Sequence, residues 1–330
     1  NLGLDISLFG DKISGSVDFF KEDREGIYMQ RNFLPAMVGL DSKPKANVGK
    51  VSSKGFDGII KVNQKIDKVH VTLRANMTYS KNEILDRDEE YNYYWYRMDK
   101  GHRVDQAKGL IALGLFKDYD DIRNSPTQSF DNFQVMPGDI KYKDVNGDGK
   151  IDDNDMVAIG AKKRPNLIYG MGASAQWNGF DVNLHFQGAG KSTYFIDGSS
   201  VYMFSLGDGW GNVLKDLADS DRWISADISG DPATENPNAK YPRLTYGKNP
   251  NNNRASTFWL RNGSYVRLKT IELGYTVPAR FTNKIHLSKV RFFFIGTNLV
   301  TWSGFKLWDP EMGISDGKEY PLSKTLSLGI

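Results

Sequence analysis

Period-two alternation of apolar and polar residues runs through most of this chain and limits its fold more sharply than any other feature. In VHVTLRANMTY, Val69, Val71, Leu73, Ala75, Met77 and Tyr79 share one side of an extended chain, while His70, Thr72, Arg74, Asn76 and Thr78 share the other. Successive side chains of a strand point to opposite faces, so the pattern describes a strand with one apolar and one polar face. LIYGMGASAQW (167–177) and FDVNLHFQ (180–187) repeat it, as do Leu2, Leu4, Ile6 and Leu8 at one end and Leu326, Leu328 and Ile330 at the other. About nine strands are expected, near 1–9, 13–24, 47–64, 68–82, 165–177, 179–195, 263–277, 288–303 and 321–330. A phase slip between Leu268 and Ile271 marks a bulge. VRFFFI (290–295) is apolar on both faces. Helical signal is sparse, and AKGLIALGLF (107–116) and WGNVLKDLAD (210–219) could hold short helical turns within loops.

The connections alternate between short and long. GDK (10–12), QKIDK (64–68), the two-residue hairpin turn Asn178–Gly179 and the moderate PARFTNKIH (278–286) are short. The stretches near 25–46, 83–164, 196–262 and 304–320 are long. A soluble sandwich would bury its apolar faces inward, but it has no reason to collect every long loop at one end. A membrane barrel does both things, with apolar residues toward lipid, short turns on the periplasmic side and long loops outside.

Bulk properties agree. The 330 residues include 43 Lys and Arg against 40 Asp and Glu, which gives no electrostatic footprint for nucleic acid. Mean hydropathy is −0.50, and no apolar run is long enough for a transmembrane helix. There is no cysteine, so disulfides, thiolate metal sites and cysteine nucleophiles are excluded. His70, His102, His185 and His286 lack metal-ligand spacing, and no hydrolase or metalloprotease motif occurs, so the chain is not expected to be an enzyme. NLGLDISLFG already has the pattern of a strand in progress, which suggests that the chain is a fragment whose start lies upstream.

DVNGDGKIDDND (144–155) matches a calcium loop. Asp144, Asn146 and Asp148 would offer side-chain oxygens, Lys150 its carbonyl, Asp152 a direct or water-mediated oxygen, and Asp155 would close the site. Gly149 permits the sharp turn, and Ile151 would anchor the loop inward. An aspartate at the closing position leaves both Ca2+ and Mg2+ open, and an acidic turn without metal accounts for the same residues. YNYYWYR (91–97) offers Tyr93, Tyr94 and Trp95 as a stacking platform for sugar or peptide, or else as loop core or an interfacial aromatic girdle. Arg74, His185 and Gln187 on the polar strand faces are candidate substrate contacts in a lumen. LGDGWGN (206–212) suggests a loop tip and AKKRP (161–165) a strand-edge charge run.

Several blocks together resemble one family. They are GLFKDYDDI (114–122), PGDIKYKDVNGDGKIDDNDMVAIG (137–160), YGMGASAQWNGFDVNLHFQGAGK (169–191), NPNAKYPRL (236–244), STFWLRNGSYVRLKTIELGYTVP (256–278), GTNLVTWSGFKLWDPE (296–311) and YPLSKTLSLGI (320–330). Their order is similar to the C-terminal part of a SusC-type TonB-dependent outer-membrane transporter (the SusC/RagA family) of Bacteroidota. The resemblance implies an all-β fold, residues 1–330 forming the last nine or so strands of a transmembrane antiparallel barrel of about 22 strands. It implies location in the bacterial outer membrane, contact with outer-membrane lipid, and active import of oligosaccharides, glycans or peptides. The implied partners are a SusD-like lipoprotein lid and, through regions outside this chain, TonB-ExbB-ExbD. In the family a plug and a TonB box precede such a segment, and a terminal aromatic follows it. The resemblance carries the metal-loop roles to Asp144, Asn146, Asp148, Lys150, Asp152 and Asp155. Two other readings stay open: a barrel of this type serving as a structural subunit of another envelope complex, and a soluble calcium-stabilised β-module for adhesion or carbohydrate binding.

Overall fold

The computed structural model describes residues 1–161, 164–206, 210–219 and 221–330. Lys162 and Lys163 of the basic run, and Gly207–Gly209 of the loop tip, lie outside the described residues. Nine strands pair in sequence order into one antiparallel meander. They are β1 (Leu2–Leu8), β2 (Ile13–Gln30), β3 (Lys45–Ile66), β4 (Val69–Asp86), β5 (Leu167–Trp177), β6 (Phe180–Gly190), β7 (Tyr265–Thr276), β8 (Arg291–Ser303) and β9 (Thr325–Gly329). Among the described residues the sheet is open, with β1 and β9 each paired on one side only.

Local chemistry explains the short ends. Asn178 (φ 46°) and Gly179 (φ 88°) both adopt the left-handed conformation, as a tight hairpin turn between right-twisted strands requires. The turn between β3 and β4 is shorter than expected, just Asp67 and Lys68, with Asp67 at φ 52°. The β7–β8 connection winds into helical turns at Ala279–Thr282 and Asn283–Ile285. The register of β7 shifts against both neighbours around Lys269, so the phase slip is a bulge.

Three strands outrun the expected bounds. β2, β3 and β4 have 18, 22 and 18 residues, where a tilted membrane strand needs about 9–11. β4 continues to Asp86, so the longest loop begins after it, and β6 stops at Gly190. AKGLIALGLF is not helical. Lys108–Gly109 pairs with Val157–Ala158, and Ala112–Leu115 pairs with Ile140–Tyr142. WGNVLKDLAD does contain a short helix, Lys215–Asp219.

The hydrophobic core lies in the long loops rather than behind the sheet. Leu110, Ile140, Tyr142, Ile196, Val201, Leu217, Tyr241 and Trp259 are buried together, with Phe305 from the last loop packed among them. By contrast, the apolar side chains on the sheet stay open: Leu2 is 73% and Leu328 84% exposed. A loop layer with its own core stands at one end of a wall whose apolar face is left exposed by the described residues.

Candidate functional site

Cross-strand register orders the apolar face into rows. At the short-turn end Trp177 faces Phe180, Phe180 faces Tyr275 and Tyr275 faces Phe292, four aromatic residues side by side on four strands. At the loop end Phe19 faces Phe56 and Phe56 faces Tyr79, with successive ring centroids 6.0 Å apart. Tyr79 faces Leu167, ten residues before Trp177 on β5. Ten residues at ~3.3 Å each span about 33 Å along the strand, or about 25 Å along the normal at a tilt of ~40°. Between the rows the same face carries Val17, Ile60, Leu73, Met77, Met171, Val182, Leu184 and Leu273. An apolar band of this height between two aromatic rows has the dimensions of a bilayer core with its two interfaces. Among the described residues no helix is long and apolar enough to cross a membrane, and crossing by strands is the separate case met here.

The opposite face is polar. Arg74 and His185 stand in one row, each facing Gly172 between them. A Cβ on Gly172 would lie 2.6 Å from Arg74 Nε, so the absence of a side chain lets the guanidinium lie flat across β5. Arg74 Nη2 then donates to Asn183 Oδ1 at 3.0 Å. Gln187 faces Arg267, whose Nη2 donates to Asp309 Oδ1 at 2.5 Å. Arg267 Nε and Glu311 Oε2 are 3.3 Å apart, an ion pair without hydrogen-bond geometry. This guanidinium thereby ties the last long loop to the polar face.

In the loop layer, DVNGDGKIDDND forms a chain of side-chain-closed turns. Asp144 accepts from Gly147 N–H (2.6 Å) and Gly149 N–H (2.9 Å). Asn146 accepts from Asp148 N–H, Asp148 from Lys150 N–H and Asp152 from Asn154 N–H. Asp155 is fully buried and receives Val145 N–H (2.7 Å), Asn146 N–H (3.4 Å) and Asp152 N–H (2.9 Å). Ile151 is buried in the loop core, as its inward position requires. The donor chemistry is that of a hard cation, all oxygen. Among the described residues, however, no three His, Cys, Asp or Glu side chains stand together as an assembled metal centre. The loop holds its shape by its own hydrogen bonds.

The aromatic cluster leans on this loop. Asn146 Nδ2 donates to Tyr94 Oη at 3.3 Å, Tyr96 Oη to the Asn154 carbonyl at 2.8 Å, and Arg97 Nη1 to Asn154 Oδ1 at 2.6 Å. Tyr93 and Trp95 remain 83% and 73% exposed. The structure thus gathers Tyr93, Tyr94 and Trp95 at the acidic loop, and places Arg74, His185 and Gln187 on the polar sheet face, as two separate groups.

One cluster escaped the sequence reading. Asp139, fully buried, accepts from Arg243 Nε (2.8 Å) and Nη2 (3.1 Å), Asn249 Nδ2 (3.2 Å), Asn252 Nδ2 (2.8 Å) and Met136 N–H (2.9 Å). Asn251 Oδ1 accepts from Gln128 Nε2 (2.8 Å), and Gln128 Oε1 accepts from Tyr142 N–H. Thr127–Gln128 pairs in parallel with Lys150–Ile151, so the network reaches the acidic loop. The run of asparagines at 251–253 was the available signal. Nearby, hydrogen bonds from Lys240 and then Tyr241 hold the Asp216 carboxyl below its usual range, while burial first and Asp216 second push Tyr241 up.

Taken together, an antiparallel wall with one lipid-compatible face, one polar face and all long loops at one end has the architecture of a β-barrel wall segment. Comparison with known proteins specifies the type. No family model matches the chain. A TonB-dependent receptor of Formosa agariphila is 26% identical over 357 residues, covering all of this chain and 34% of the receptor. The TonB-dependent receptor SusC of Bacteroides thetaiotaomicron is 22% identical over 342 residues, covering all of this chain and 31% of SusC. Among solved structures, the RagAB peptide transporter superposes with a TM-score of 0.73 at 19% identity, over 99% of this chain and 34% of that one. The chain is therefore similar along its whole length to SusC-type TonB-dependent receptors, and it spans about a third of the curated relatives it matches. These relatives are receptors and transporters, not enzymes.

Proposed function

We propose that this chain is part of the wall and outer loop layer of a TonB-dependent importer in the bacterial outer membrane, carrying oligosaccharides or peptides too large for porins. The observation that carries this reading is the apolar band framed by two aromatic rows, with every long loop beyond one row. The short turns face the periplasm, and the loop layer faces outward, where a SusD-like lipoprotein would close on it. The full-length similarity to TonB-dependent receptors supports energy coupling through TonB, and the RagAB likeness favours peptides as one cargo class. Tyr93 and Trp95 would stack against cargo at the entrance. Arg74, His185 and Gln187 would line its path on the polar face. Asp144, Asn146, Asp148, Asp152 and Asp155, with the Lys150 carbonyl, would hold Ca2+ or Mg2+, which would neutralise the acidic loop and stiffen the base of residues 87–166.

The test is uptake of labelled oligopeptides and oligosaccharides by cells carrying the complete protein, with and without an uncoupler. Uncoupler-sensitive uptake of one class supports import. Normal assembly with entry of neither class would favour a structural subunit of another envelope complex.

A further inference from the structure

The polar face of β2, β3 and β4 carries two pairs of like charges, of opposite sign. Asp18 faces Asp57, and four residues further along β3, toward the short turns, Lys61 faces Arg74. Like charges directly opposite each other oppose strand pairing. Among the described residues neither pair is relieved. Asp18, Asp57 and Lys61 make no ion pair or side-chain hydrogen bond, and Arg74 uses a single N–H group, on Asn183.

Neighbouring charges do not compensate the pairs. Asp5 faces Ser16 while Gly3 faces Asp18, so Asp5 lies diagonal to Asp18 and adds to the acidic pole. The row of Lys61 and Arg74 runs through Ser14 to Ser7 on one side. On the other it runs through Gly172, His185, Thr270 and Thr297 to Thr325. It contains no carboxylate. Glu272, one row nearer the short turns, is held by Arg291 at 2.7 Å, and Asp181 by the same guanidinium at 2.6 Å. Arg267, in the row between the two poles, is taken by Asp309 and Glu311.

Between the poles Ser16 faces Ile59, and Ile59 faces Asn76. Ile59 is 51% exposed on this otherwise polar face, and the Asn76 amide makes no hydrogen bond among the described residues. At ~3.3 Å per residue the poles stand about 13 Å apart along the strands. An extended peptide gains at most ~3.3–3.6 Å per residue, so one of about four residues spans that distance. A neutral sugar relieves neither charged pair. An acid satisfies only the basic pair, and an amine only the acidic one. A chain with a free ammonium at one end and a free carboxylate at the other satisfies both, and its middle meets one apolar side chain and one unused amide.

We propose that Asp18 and Asp57 bind the terminal ammonium, and Lys61 and Arg74 the terminal carboxylate, of a short peptide lying along β3 across Ile59 and Asn76. The assignment rests on the import reading above and narrows its cargo to peptides with free ends. The carboxylate end sits deeper, toward the short turns.

The complete protein is titrated calorimetrically with tetra-alanine, its N-acetylated form, its C-terminal amide, and dialanine. The parent is compared with D18N/D57N and K61Q/R74Q. Exposed ion pairs contribute up to about a fivefold factor each, so acetylation and amidation should each weaken binding to the parent about fivefold. Dialanine, too short to reach both poles, binds as weakly as a blocked tetrapeptide. In D18N/D57N acetylation loses its effect while amidation keeps it, and in K61Q/R74Q the reverse holds. Equal affinity of the parent for free and blocked tetra-alanine would overturn the proposal, as would absence of binding. Blocking effects that persist in both variants would overturn it too, because the ends would then be read elsewhere. The blocked peptides probe the parent itself, so the test stands even where a variant fails to fold. If peptide uptake is uncoupler-sensitive while end-blocking changes nothing, only the clamp falls. If neither cargo class enters the cell, the import reading falls with it.

Discussion

Replacing Asp139 with alanine removes the acceptor on which five N–H donors converge. Arg243, with a side chain only 17% exposed, loses its sole ion-pair partner among the described residues. Asn249 and Asn252 lose acceptors at 3.2 and 2.8 Å in a region closed to water. Breaking a buried pair by deleting one member costs about 3–5 kcal/mol, because the surviving charge is left unpaired. Arg243→Met should cost less, about 1.5–3 kcal/mol, since Met136, Asn249 and Asn252 still donate to the carboxylate. In the double variant neither charge is stranded, so its cost should fall short of the sum of the two single costs by at least ~1 kcal/mol. Native-state hydrogen exchange of the complete protein, followed in peptides covering 136–142 and 249–254, measures the opening free energy. A change below ~1 kcal/mol for Asp139→Ala, or strict additivity in the cycle, would refute the claim that this cluster holds the loop layer together.

Three further outcomes are expected. Asp144→Ala with Asp148→Ala should make residues 87–166 more sensitive to protease and insensitive to added Ca2+ or Mg2+, whereas chelation should loosen the same segment in the parent; equal cleavage in all cases would count against the acidic loop as a cation-stiffened staple. Leu184→Arg should weaken membrane assembly by about 2–4 kcal/mol if Leu184 faces mid-bilayer lipid, read as loss of the folded species in a urea refolding series; a neutral result would contradict the face assignment. Asp216 titrates below its ordinary value in the folded state, so its contribution is present above the unfolded pKa and is lost as pH falls through the folded one; the Lys240–Tyr241 corner should loosen below about pH 4, and Asp216→Asn should remove that acid response in exchange measurements.

Much of the wall was legible in the sequence because strand pattern is local. Alternation located most of the nine strands, VRFFFI being apolar on both faces, the Asn178–Gly179 turn follows from two residues that tolerate positive φ, and the bulge at Lys269 appeared as a broken phase. Register was not legible, since it depends on which residue of one strand meets which residue of the next. The aromatic rows and the alignment of Arg74 with His185 therefore emerge only from pairing. The loop layer was the least legible part. Asp139 finds Arg243 and Asn252 more than a hundred residues away. Residues 108–115, apolar and without clear period, become strands because partners at 140–142 and 157–158 supply their hydrogen bonds. The acidic loop was readable as a motif, and its internal hydrogen bonds follow from the same residue order that suggested a cation.

The central claim is that one face of this sheet meets lipid and the other does not. The most direct measurement is accessibility of single nitroxide labels at positions 182 to 187 to oxygen, which concentrates in lipid, and to a water-soluble nickel complex, in the complete protein reconstituted in bilayers. The account predicts high oxygen and low nickel accessibility at Val182, Leu184 and Phe186, with the reverse at Asn183, His185 and Gln187. Uniform accessibility along the segment, or alternation in the opposite phase, would contradict it.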